Sequence, residues 1–71
     1  METNTFSYKS RGRRYHVATG IDSDGQFYVY LEGTNQRPVH FEYDTEKEAQ
    51  KYFDNFVAAI ASVEIRGQED Y

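Results

Sequence analysis

The sequence predicts an α+β fold, an antiparallel meander of three or four strands with one C-terminal helix packed on one face (βββα or ββββα). Three observations predict it. In the stretch Asp44–Val63, Ala49, Tyr52, Phe53, Phe56, Val57 and Ile60 fall at steps of three and one, the spacing of one helix face. Just ahead, Thr45 and Glu48 form T-x-x-E, a capping box in which each side chain satisfies an orphan backbone N–H. Before Asp44 the apolar period is two rather than 3.6, and Gly- or Pro-containing turns divide it into strands.

Each strand follows from that alternation. Met1–Thr5 is polar and expected to fray, whereas Phe6-Ser7-Tyr8-Lys9 alternates as a short first strand. Ser10-Arg11-Gly12-Arg13 is a turn, its Gly supplying a positive φ. Arg14–Gly20 alternates again, with Tyr15, Val17 and Thr19 on one side and Arg14, His16 and Ala18 on the other. Asp22-Ser23-Asp24-Gly25 ends in D-G, a hairpin signal. Gln26–Glu32 is the central strand, with Phe27, Val29 and Leu31 toward the helix and Tyr28, Tyr30 and Glu32 away from it. Gly33–Pro38 is expected to be a turn, because Pro cannot serve inside a central strand. Val39, Phe41 and Tyr43 then point inward, and His40 and Glu42 outward. Gly67 is the expected helix stop, with 68–71 a loose tail.

Seventy-one residues make one domain (1–71), near the size at which one core barely suffices. With no cysteine, neither a disulfide nor a thiolate metal site reinforces it. Seven Tyr and five Phe compensate, since burying a Phe-sized side chain contributes about 1.5–3 kcal/mol. No apolar run approaches the ~20 residues of a membrane span, and the opening residues are not those of a secretory signal. A cytoplasmic protein is expected, complete as a small gene product from its Met1. The net charge of −4 is asymmetric: residues 1–20 sum to +3 and residues 21–71 to −7. That acidic balance favours a partner with a basic surface over nonspecific duplex binding.

Catalytic signatures are missing from the sequence. Asp22-Ser23-Asp24-Gly25 starts like a calcium loop, but an EF-hand needs Gly at its sixth position and an acid at its twelfth, where Phe27 and Gly33 stand. His16 and His40 share the outer face with Glu42, without cysteine, so no metal is expected. None of the serines sits in a nucleophile elbow, and no glycine-rich phosphate loop is present. Most carboxylates lie at turns or on the wet helix face, where burial cannot raise their pKa for acid–base work. No enzyme activity and no cofactor are expected.

What one helix leaves uncovered is more informative. A helix about 10 Å wide shields one face of a sheet. The other face carries Arg14, His16, Tyr28, Tyr30 and His40 together, with Glu32 and Glu42 beside them. Exposed aromatics around an Arg compose a protein-interface hot spot. They also serve as a single-strand nucleic-acid platform, in which case Arg11, Arg13 and Arg14 would hold phosphates. Two further readings are cross-strand pairing that only stabilises the sheet, and a homodimer through this open face.

From Tyr15 to Phe56 the order is strand, D-G turn, strand, turn, strand, then F-E-Y-D-T-E-K-E-A-Q-K-Y-F. This resembles the arm-type DNA-binding domain of phage tyrosine integrases, a three-stranded sheet and helix with a similar F-x-T-x-x-E-A lead into the helix. That resemblance implies DNA binding by a basic sheet, although here Glu32 and Glu42 stand among the outward residues. The strands-then-helix order in a small acidic chain also looks like the small phage anti-defence proteins, the anti-CRISPR proteins among them. That second resemblance, carried by size, acidity and architecture, implies a non-catalytic protein that occupies a surface of a host defence complex.

Overall fold

The structure is a computed structural model and describes residues 1–69. It contains β1 (Glu2–Ser10), β2 (Arg13–Ile21), β3 (Phe27–Gly33), β4 (Gln36–Tyr43) and α1 (Glu46–Glu69). The strands form one open antiparallel sheet in the order β1-β2-β3-β4, with α1 packed chiefly over β2 and less over β3 and β4. The fold is α+β, of the four-stranded form.

Connections follow from local chemistry. Arg11 (φ 53°) and Gly12 (φ 77°) are both left-handed, as a two-residue type I′ hairpin between right-twisted strands requires. Between β2 and β3, Gly25 N–H donates to the Asp22 carbonyl at 3.0 Å and Gly25 itself is left-handed, at φ 79°. The Asp22 carboxylate accepts from Asp24 N–H and Gln26 N–H, each at 2.9 Å, so it takes donors that the loop would otherwise leave to water. At the start of α1, Glu48 N–H donates to Thr45 Oγ1 at 3.1 Å, as a capping box requires. The Glu48 carboxylate, however, accepts from the Thr45 hydroxyl at 3.3 Å.

Register sorts the side chains as alternation predicts. Phe6 opposes Val17, Val17 opposes Leu31, Thr19 opposes Val29, and Val29 opposes Phe41, all on the helix side. Val17, Val29, Ala49 and Phe53 are the buried centre, and Phe6, Phe27, Leu31, Tyr43, Phe56, Val57 and Ile60 pack around it. Thr19 is buried there too, its hydroxyl donating to the Tyr28 carbonyl at 2.8 Å.

The structure departs from the sequence expectation most at three places. β1 starts at Glu2, with a register irregularity between Glu2 and Asn4. Met1 carries the pairing one residue further, since Ile21 N–H donates to the Met1 carbonyl at 3.0 Å and the terminal ammonium donates to the Ile21 carbonyl. The expected turn 33–38 shrinks to Thr34-Asn35, and Pro38 lies inside β4. Pro is tolerated there because β4 is an edge strand and the register shifts beside it, between Leu31 and Gly33. Helix α1 continues through Gly67 to Glu69. A helical Gly costs about 1 kcal/mol relative to Ala, a bias rather than a barrier. Residues 70 and 71 of the expected tail lie outside the described residues.

Candidate binding face

The sheet face opposite α1 is assembled from β2, β3 and β4 by their register. His16 opposes Glu32, Ala18 opposes Tyr30 and Gly20 opposes Tyr28. On the other flank of β3, Tyr28 opposes Glu42 and Tyr30 opposes His40. His16, Glu32, Tyr30, His40, Tyr28 and Glu42 therefore form one contiguous surface.

Its side chains are held by one another. The Tyr28 and His40 rings stack diagonally, 5.1 Å between centroids and 29° between planes. Tyr30 Oη donates to Glu32 Oε2 at 3.1 Å. Ser7 Oγ and His16 Nδ1 are hydrogen-bonded at 2.9 Å, with the imidazole tautomer setting which one donates. Burial comes first among the causes that raise both outer phenols above the ordinary tyrosine value. The charges of Glu2 and Asp22 add to it at Tyr28, and the Glu32 hydrogen bond and charge add at Tyr30. Both rings are half-buried, whereas Glu32, His40 and Glu42 are exposed.

Across from the rings β2 offers small residues, Ala18 opposite Tyr30 and Gly20 opposite Tyr28. Ala18 is only 1% exposed although no helix covers its face, so its cover comes from side chains of the sheet itself. Gly20 is buried as well, and a Cβ there would collide with the Met1 carbonyl oxygen. The Met1–Glu2 backbone thus closes one end of the face.

Arg14 marks the opposite end. Its N–H donates to Thr34 Oγ1 and its carbonyl accepts from Thr34 N–H, each at 2.9 Å, which fixes its backbone against the β3–β4 turn. Its side chain joins Ser7, Lys9, His16 and Glu32 in lining an open depression of about 520 Å³. Arg11 sits at the tip of the β1–β2 hairpin, and Arg13 opposes Ser10 in the first pair below it. By strand alternation Arg13 shares the side of Tyr15, so the three arginines are not gathered on one face.

Sequence reasoning missed Ser7 and Lys9. Their only signal was the hairpin register, which sets Ser7 against His16 and Lys9 against Arg14. Phe41 and Tyr52, expected on the inward side, are nonetheless 40% and 38% exposed. Both lie on the helix side but at the seam between α1 and the edge strand. Phe41 stacks on Phe56 at 5.7 Å, and Tyr43 on Tyr52 at 4.8 Å. Burial, then Tyr52 and Glu48, raises the Tyr43 phenol.

The open face offers flat rings, an imidazole pair and two carboxylates for contact. Among the described residues, no group of three or more His, Cys, Asp or Glu is placed to hold a metal ion. Among them too, no helix is long and apolar enough to cross a membrane. No protein-family model matches the chain, and neither a curated protein nor a solved structure does so.

Proposed function

We propose that this chain is a small non-enzymatic binding protein, phage-encoded and acting in the host cytoplasm, that occludes a basic surface of a host defence complex. The observation that carries the reading is the continuous open face of Tyr28, Tyr30, His16 and His40 bordered by Glu32 and Glu42. Half-buried Tyr rings, Tyr28 held by stacking on His40 and Tyr30 by its bond to Glu32, lose little freedom on binding, which makes them suitable anchors. Glu32 and Glu42 supply the sign of the partner. Glu46 and Asp54 lie on α1, on the other side of the sheet, so a flat partner engages either these helix acids or the open face. Tyr28 and Tyr30 favour the open face.

The test is affinity capture from bacterial host lysate at low salt, with wild type beside Glu32→Lys/Glu42→Lys and Glu46→Lys/Asp54→Lys. The reading expects a partner that the first double variant loses and the second retains. Capture of nothing, or loss confined to the helix variant, contradicts it.

A nucleic-acid module of the integrase-arm type is the second reading, favoured by Lys9, Arg14 and His16 lining one depression. About three phosphate contacts would give a log–log salt slope of roughly −2 to −3 in a gel-shift titration. Absence of any shift with duplex or single strands at low salt removes it.

A further inference from the structure

The surface described so far leaves out one edge of the sheet, and that edge is complementary to itself. Strand β4 is the last in the order, so its outer backbone groups have no strand neighbour among the described residues. Hydrogen bonding fixes which groups those are. Asp22 N–H donates to the Gln26 carbonyl and Thr34 N–H to the Arg14 carbonyl, each at 2.9 Å. In an antiparallel ladder, bonded and non-bonded pairs alternate. The bonded β2–β3 pairs are therefore His16:Glu32, Ala18:Tyr30 and Gly20:Tyr28, and Phe27, Val29 and Leu31 bond to β4. Their partners Tyr43, Phe41 and Val39 bond inward, leaving the N–H and C=O groups of His40 and Glu42 directed outward. Pro38 belongs to the same outward set and lacks an N–H.

We propose that two copies of this chain pair antiparallel through β4, about a two-fold axis at Phe41, and fuse their sheets into one. Only one register suits the residues. Centred on Phe41, it sets His40 opposite Glu42 of the other copy twice over, on the open face, with both backbone pairs fully bonded. On the helix face it sets Phe41 against Phe41 and Val39 against Tyr43. Centring on His40 would oppose two imidazoles and bring Pro38, without a donor, against Glu42. Centring on Glu42 would oppose two carboxylates. The Phe41 pair is a non-hydrogen-bonded one, in which side chains approach most closely. It accounts for the two large hydrophobic side chains exposed at this seam, Phe41 and Tyr52. The other edge is blunted, as β1 carries a register irregularity between Glu2 and Asn4 and outward Thr5, Ser7 and Lys9. Five residues of ladder from each copy, with two bonded pairs among them, are a short interface, so the dimer is weak and concentration-dependent.

The chain has no cysteine, so single cysteines read the register directly. Phe41→Cys is expected to form a disulfide-linked dimer under mild oxidation. Val39→Cys and Tyr43→Cys should each stay unlinked alone and cross-link when mixed. Sedimentation velocity should show a wild-type monomer–dimer equilibrium that Glu42→Pro shifts to monomer with unchanged circular dichroism. His40→Glu should weaken the dimer about tenfold, and adding Glu42→Lys should restore it. Wild type that is monomeric at millimolar concentration overturns the proposal, and so does linkage of Val39→Cys or Tyr43→Cys alone in preference to Phe41→Cys. None of these readouts depends on a partner protein, so they stand or fall separately from the proposed occlusion.

Discussion

The two faces of this sheet are built on the same strands and exclude water by different means. On the covered face, Val17 and Val29 are fully buried beneath a helix that contributes Ala49 and Phe53. On the open face, Ala18 is as dry, yet its cover comes from side chains of the sheet itself. The covered face is thus closed by an element and the open face by its own residues. Burial alone does not say which side of a small sheet is the core. The difference also bears on function, because Tyr28, stacked on His40, and Tyr30, bonded to Glu32, are already ordered before any partner arrives.

Truncation separates the two faces most sharply. Phe53→Ala removes the largest buried contact of the helix and is expected to cost about 3–5 kcal/mol. In so small a chain that is enough to unfold much of the population, and urea denaturation monitored by circular dichroism measures it. Tyr30→Ala removes a cross-strand pair and should cost about 1 kcal/mol with the fold intact. Equal losses would break the comparison.

Gly20→Ala tests the closed end of the open face. Its new methyl must displace the Met1–Glu2 backbone, an overpacking expected to cost about 1–3 kcal/mol. The accompanying readout is faster amide exchange in residues 1–5 than in β3. Thr45→Ala acts on the covering helix alone and should cost about 1 kcal/mol by loss of the cap. Its amide shifts should concentrate in α1 and leave the Ser7–His16 pair in place.

The smallest effect is alkaline. Tyr28, Tyr30 and Tyr43 have folded pKa values above the ordinary 10.0, so their phenols ionise more readily in the unfolded chain. The stability they lend is complete below pH 10 and falls as pH rises through the folded values. Thermal melts should therefore shift downward from about pH 10, with a shallower slope in Tyr43→Phe. Melts that stay level through that window would remove the burial of these phenols.

Alternation and capping carried most of the fold in the sequence. Val17, Val29 and Phe41 were assignable to one side because a period of two leaves no other choice once Phe53 and its neighbours define the helix face. His16, Tyr28, Tyr30 and His40 follow by subtraction, so the membership of the open face was legible as well. What was not legible depends on position within the sheet. Edge status makes Pro38 acceptable inside β4 and leaves Phe41 and Tyr52 part-exposed, and period alone cannot distinguish an edge strand from a central one. The first half of β1 carries no apolar pattern because its pairing rests on backbone bonds to β2. The Ser7–His16 contact needed a register that a two-residue turn sets.

The most direct test of the open face as the contact surface is site-specific photo-cross-linking in host lysate, with the probe at position 30 or at position 55 on the outer side of α1. The account predicts that position 30 captures one discrete host protein, released by added salt, and that position 55 captures none. Capture from position 55 alone, or equal and nonspecific capture from both, would contradict it.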